Sequence, residues 1–116
     1  MVHSLVSKLP MTPAKLVELT SAVADDMTLQ SMKGYIKYGW PKSRKSVSSD
    51  IQPYWNIRDS LHEADNLVFY SHKLVVPQTL RRSMLSLIHE SHMGAEKSKA
   101  RARQILFWPG MSSDIE

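Results

Sequence analysis

The sequence predicts a mainly α-helical protein: a small helical bundle with one β-hairpin and a helix-turn-helix-like unit at its C-terminal end. Apolar residues recur at helical spacing through residues 12–38, and two short β-rich runs lie at 67–70 and 73–76. Helical spacing then returns over residues 78–106, on both sides of Gly94. This switch from the helical period to the strand period and back predicts a two-stranded hairpin and no sheet of four or more strands.

Three helices are predicted before the hairpin. Thr12 is placed to cap the first helix, and Asp25-Asp26 offer a cap for the second. The second helix ends at Gly39-Trp40-Pro41, because glycine terminates a helix and proline cannot continue it. A third runs from Asp50, as its cap, to about Leu61. The apolar residues assigned to these helices are Leu16, Val17, Leu19, Val23, Met27, Leu29, Met32, Tyr35, Ile36, Tyr38, Ile51, Tyr54, Trp55, Ile57 and Leu61.

The segment between the second and third helices, residues 42–49, is polar and basic and has no periodicity. Such a composition is typical of an exposed loop. A plain linker is the preferred interpretation, with contact to nucleic acid and phosphorylation as the alternatives.

Length and composition narrow the class of protein. A chain of 116 residues has room for one small domain with an extension, or for two very small units. It contains no cysteine, which excludes disulfides and thiolate metal ligands within it. No run approaches the roughly 18 apolar residues of a membrane span, and the start lacks a signal peptide. We therefore expect an intracellular protein without a membrane partner, and the nucleus is one of the locations left open.

The positive charge is concentrated in the second half of the chain. The formal net charge is +4, and between residues 73 and 110 only Glu90 and Glu96 oppose the basic side chains. A basic segment of this kind favours polyanionic partners through phosphate contacts. A solvated helix face is the equally weighted alternative. The basic residues of the segment are Lys73, Arg81, Arg82, Lys97, Lys99, Arg101 and Arg103.

His89 and His92 are the candidate metal ligands. Residues three apart share one helical face, and imidazole nitrogen is a preferred ligand of zinc. Tetrahedral zinc needs four donors, and the chain has no cysteine to supply the other two. We therefore expect an incomplete site that holds zinc weakly or not at all. A metalloprotease is excluded, because its helix motif places the two histidines four residues apart.

The stretch from His89 to Met111 resembles the zinc-binding (HHCC) domain of gypsy-type retrotransposon integrases. The similarity lies in His89-Glu-Ser-His92, in Gly94, in the basic helix of residues 97–103 and in Trp108-Pro-Gly-Met111. Upstream motifs resemble the linker that joins the ribonuclease H region to this domain. They are Asp26, Leu29, Gly39-Trp40-Pro41, Tyr54-Trp55, Arg58-Asp59, Leu61 and Val76-Pro77.

The resemblance implies a division of the chain and an incomplete domain. Residues 1–66 would be a helical linker region, and 67–116 the hairpin with a partial zinc-binding domain. In that family a Cys-x-x-Cys pair follows after another turn or two of helix, and this chain looks truncated before it. Zinc is therefore expected for the complete domain and weakly, if at all, here.

The function implied is a non-catalytic, nucleic-acid-interacting module of DNA integration. The family's catalytic carboxylates lie in a separate, later domain, and nothing in this chain supplies them. We expect weak, non-specific DNA binding and self-association. The residues assigned to DNA are Lys97, Lys99, Arg101 and Arg103, which straddle one helix, with Arg81 and Arg82 on the water-facing side of the preceding helix. The alternative is an inert remnant of a decayed element.

Overall fold

A computed structural model describes residues 12–89 and 95–116. The α-helices are α1 (Pro13–Asp25), α2 (Met27–Tyr38), α3 (Gln78–His89), α4 (Ala95–Ile105) and α5 (Met111–Ile115). Two 3-10 helices span Arg44–Ser46 and Gln52–Ser60. The strands are β1 (Leu61–Ala64), β2 (Leu67–Tyr70), β3 (Lys73–Val75) and β4 (Leu106–Phe107). The prediction of a mainly helical fold that contains a hairpin is confirmed.

The predicted ends of the first two helices are confirmed. The Thr12 hydroxyl accepts a hydrogen bond from the Lys15 amide at 3.1 Å, which caps α1. The Asp26 carboxylate accepts one from the Leu29 amide at 3.0 Å, which caps α2. Gly39 ends α2 with φ of 109°, a backbone conformation that side chains with a Cβ rarely adopt.

The third predicted helix is a 3-10 helix, and Asp50 does not cap it. No side chain caps the helix at Ile51, and the Tyr54 amide donates to the Ile51 carbonyl, a bond over three residues. The Asp50 carboxylate instead accepts hydrogen bonds from the hydroxyls of Ser48 and Thr28. These two bonds hold the pKa of Asp50 below its usual value, and they tie the basic loop to α2.

The predicted hairpin is confirmed, but it lies within a four-stranded sheet of order β1-β2-β3-β4, so the prediction of no larger sheet was wrong. β1 pairs with β2 through a two-residue turn in which Asp65 and Asn66 both have positive φ, as a type I′ turn requires. β4 adds in parallel to β3. β1 and β4 were not predicted from the sequence, because β1 has no β-branched residue and β4 is only two residues long.

The sheet and the helices enclose one cluster of buried side chains. It extends from Leu19 and Val23 in α1, through Val68 and Phe69 in β2, to Ile115 in α5. The division of the chain at residue 66 stays a prediction. Three side chains assigned to apolar helix faces point to solvent instead, because they lie on faces turned away from this core: Val17, Met27 and Tyr38 are 70%, 82% and 80% exposed. Among the described helices, none has both the length and the apolar character needed to cross a membrane.

Asp26 also fastens the first two helices to α3. One carboxylate oxygen caps α2, and the other accepts a hydrogen bond from the Gln78 amide at 3.1 Å. We expect Asp26→Ala to lower the free energy of unfolding by about 1–3 kcal/mol, because two helix-terminal amides lose their acceptor. Urea denaturation measures this change. Asp25→Ala is the matched control, since Asp25 is exposed, and an equal loss in both variants would contradict the double-capping role.

Candidate metal and nucleic-acid site

His89, the last residue of α3, lies beside the C-terminal end of α5. Its Nε2 is 3.3 Å from the carbonyl oxygen of Ile115. α3 is oriented by a buried stripe at spacings of four residues, formed by Leu80, Met84 and Ile88, while the His89 side chain itself is exposed. The imidazole is therefore available to a ligand at the place where the two helices end.

The Trp108-Pro109-Gly110-Met111 segment sets the direction of α5. The Trp108 ring is 1% exposed, and its Nε1 donates a hydrogen bond to the Asp114 carboxylate at 2.8 Å. Gly110 has φ of 80°, in the left-handed region, so the chain turns sharply into α5. Met111 and Ile115 then pack into the core. This anchoring brings the Ile115 carbonyl to His89.

The described residues do not complete a tetrahedral zinc site. His92 and Gly94 lie outside the described residues. Within residues 12–89 and 95–116, no three His, Asp or Glu side chains come together in a group that would hold a metal ion. Zinc coordination by His89 and His92 therefore stays a prediction, and it would require further donors.

The four basic residues of α4 divide into two pairs. The Lys99 side chain is only 14% exposed, and its ammonium lies 3.6 Å from the Glu96 carboxylate and 3.9 Å from that of Glu116. Arg103 donates a hydrogen bond to Glu116 at 2.5 Å. Lys97 and Arg101 are exposed on another face and pair with no acid among the described residues. The face of Lys97 and Arg101 is thus the one open to an external anion.

The sequence predicted that Arg81 faces water, but in the structure its side chain forms hydrogen bonds within the fold. Its Nε donates to the Val76 carbonyl, and an Nη donates to the Tyr54 hydroxyl, both at 3.3 Å. The side chain is half-buried, because its guanidinium lies against the Val76 carbonyl and the buried Tyr54 of the second 3-10 helix. Burial raises the pKa of Tyr54 to about 12. Arg82 is exposed, as predicted.

Three acceptors that organise this region were missed from the sequence. They are the carboxylates of Asp114 and Glu116 and the carbonyl of Ile115. Asp114 lies six residues after Trp108, and only the turn at Gly110 brings the two together. The acidic residues Asp114 and Glu116 were the one available signal, since they are the first opposite charges that follow the basic helix along the sequence.

Comparison with known proteins relates this region to a family. Residues 76–116 match the family model described as integrase zinc binding domain. The chain is also 34% identical over 70 residues to the uncharacterized protein K02A2.6 of Caenorhabditis elegans. That similarity covers 60% of this chain and 6% of the worm protein. No solved structure gives a significant match.

The two matches agree with the resemblance carried by His89, His92 and Trp108–Met111, which is therefore confirmed at the level of an integrase zinc-binding domain. The 70 aligned residues exceed the segment that matches the family model, so the similarity to the worm protein extends into the part of the chain before residue 76. The matched domain is a zinc-binding domain and not a catalytic one.

Proposed function

Because residues 76–116 match the integrase zinc-binding domain family, we propose that this chain is a non-catalytic module of a gypsy-type retrotransposon integrase that holds double-stranded DNA without cutting or joining it. The observation that carries the proposal is the exposed pair Lys97 and Arg101 on α4, unmatched by any acid among the described residues. Basic side chains displayed on one helix face bind duplex DNA through its phosphates, without reading sequence.

His89 and His92 are proposed as two of the four zinc ligands of the complete domain. The position of α5 supports this assignment. Because the Ile115 carbonyl lies 3.3 Å from His89 Nε2, a segment joined after Glu116 would begin next to this imidazole. A pair of cysteines on such a segment would therefore start close to the His89 imidazole.

The proposed DNA-binding surface centres on Lys97 and Arg101, with Arg82 as a further exposed cation. Lys99 and Arg103 contribute less, because Glu116 already neutralises part of their charge. Arg81 acts mainly within the fold, through its bonds to Tyr54 and Val76. Self-association of the module is proposed on the family resemblance.

Two matched double variants test the DNA surface. We expect the parent to bind a 20-base-pair duplex with a dissociation constant of about 10⁻⁶ to 10⁻⁴ M near physiological salt. Lys97→Gln/Arg101→Gln should weaken binding and flatten the plot of log K against log salt by up to about two units, or about 0.9 for each phosphate that the variant no longer neutralises. Lys99→Gln/Arg103→Gln, which removes the same charge from the paired face, should change both quantities less. Fluorescence anisotropy at several salt concentrations measures them.

Two results would overturn the proposal. If both double variants bound as the parent does, the basic helix would be a solubilising face, and the inert remnant would be the better description. Strand transfer or end processing by the chain alone would contradict the non-catalytic assignment.

A further inference from the structure

We propose that a second surface, on the N-terminal helices, binds single-stranded nucleic acid. This aromatic-basic surface consists of Tyr38, Trp40, Trp55 and Arg58, flanked by the basic residues between 37 and 45. It lies outside the family-matched segment and does not depend on the α4 surface.

The aromatic part is a contiguous group of rings that reaches solvent. Tyr35 stacks on Trp40 with ring centroids 5.1 Å apart, and Trp40 meets Trp55 edge-on at 6.1 Å. All three rings are half-buried, so the fold orders them without covering them. Tyr38, at the end of α2, is 80% exposed. Tyr38 follows Tyr35 by one turn of α2 and precedes Trp40 by two residues, so these aromatic side chains leave the chain close to one another.

Cations accompany these rings. Residues 33–49 contain five Lys and Arg and no acidic residue. Lys33 is engaged by Glu63 at 3.4 Å and by the Asn66 carbonyl. The other four are exposed, and none forms an ion pair within the described residues; they are Lys37, Lys42, Arg44 and Lys45.

The cations and the rings are also in direct contact. The Arg58 guanidinium carbon lies 3.8 Å from the Trp55 ring centroid, and the same side chain is fixed by donating to the Trp55 carbonyl at 2.7 Å. The Lys37 ammonium lies 5.3 Å from the centre of the Tyr38 ring. The 3-10 helix Arg44–Ser46 packs against the 3-10 helix that carries Trp55 and Arg58. Positive charge and stacking surface therefore occupy one region of the molecule.

This combination fits a single strand better than the other ligands that bind aromatic surfaces. In a single strand the bases are free to stack on aromatic rings while the phosphates meet cations. A duplex keeps its bases stacked inside, so the rings would gain little from it. A proline-rich peptide also docks on aromatic grooves, but it carries no charge that the flanking lysines and arginines would attract.

The stacking part of the proposal is tested on the whole chain with fluorescein-labelled (dT)15. We expect Tyr38→Ala to weaken binding about 5- to 100-fold, the effect of losing one stacked base. Met27→Ala is the matched control, because Met27 is an equally exposed apolar side chain at the opposite end of the same helix. Met27→Ala should bind (dT)15 as tightly as the parent does. Binding should also quench tryptophan fluorescence equally in Met27→Ala and in the parent.

The electrostatic part is tested by Lys42→Gln/Arg44→Gln/Lys45→Gln. The plot of log K against log salt for (dT)15 should become shallower by about 0.7 for each phosphate that is no longer neutralised, and so by up to about two units. Lys97→Gln/Arg101→Gln should weaken (dT)15 binding less than the triple variant does, because it leaves the aromatic-basic surface intact, and this order separates the surface from the proposed duplex site. Unaltered (dT)15 binding by Tyr38→Ala and by the triple variant would overturn the inference. So would a larger loss of (dT)15 binding in Lys97→Gln/Arg101→Gln than in the triple variant, or tighter binding of a decaproline peptide than of (dT)15.

Discussion

A Cys-x-x-Cys segment fused after Glu116 is expected to tighten zinc binding about a thousandfold or more. Complete structural zinc sites contribute about 10–16 kcal/mol, and the missing ligand pair accounts for a large part of that. If the pair supplies about 4 kcal/mol, the dissociation constant falls by about three orders of magnitude. The geometry favours a short connection, because α5 already ends at His89. Competition with a chromogenic chelator measures the affinity in both chains.

Two controls assign the gain to the intended ligands. An extension of equal length with Ser-x-x-Ser should leave zinc binding at the parent level. His89→Gln in the extended chain should lose much of the gain, since it removes one of four donors. The unextended chain should release its zinc on dialysis against a chelator. Retention of one equivalent of zinc by that chain would show that the site is complete without cysteines, and the proposed ligand set would then be wrong.

Trp108→Ala is expected to cost about 3–5 kcal/mol of the free energy of unfolding. The indole is 1% exposed, and its removal leaves a cavity among residues that pack around it. It also leaves the Asp114 carboxylate without its Nε1 donor. Because small domains are stable by only about 5–15 kcal/mol, this loss removes a large share of the total. Urea denaturation followed by circular dichroism measures it.

Two further substitutions separate the contributions of Trp108. Trp108→Phe keeps most of the buried ring and should cost less, about 1–3 kcal/mol, from the missing hydrogen bond and the smaller volume. Leu87→Ala, at a side chain that is 56% exposed, should change stability by less than about 1 kcal/mol. A Trp108→Ala variant as stable as Leu87→Ala would contradict the anchoring role of Trp108.

Several features of the fold and of the candidate site follow from short-range rules that act on neighbouring residues. Asp26 caps α2 and Gly39 ends it because helix termini need side-chain acceptors and left-handed residues close by in sequence. The helical repeat alone puts Lys97 and Arg101 on a different face of α4 from Lys99 and Arg103. The similarity to integrase zinc-binding domains was also predicted from the amino-acid sequence of residues 89–111 alone.

The features that escaped prediction depend on partners distant in sequence. β4 is too short to be recognised by itself and exists because Leu106 and Phe107 pair with β3, about thirty residues earlier. Arg81 has the sequence context of a surface cation, but in the folded chain its guanidinium donates to Tyr54, 27 residues earlier, and to the Val76 carbonyl. Tyr38 was assigned to an apolar helix face, yet the core lies on the other side of α2.

The sequence by itself determined the helical character of this protein, its hairpin, its helix caps, its basic helix and the similarity of its C-terminal part to an integrase zinc-binding domain, because each depends on residues close to one another along the chain. Only the tertiary structure decided which side chains are free to bind. Glu116 is close enough to neutralise Lys99 and Arg103 but leaves Lys97 and Arg101 open, and Trp40 and Trp55 meet although fourteen residues of chain separate them. Such contacts form when the buried side chains collapse into one core, so that the packing of the core determines which charges and rings remain at the surface.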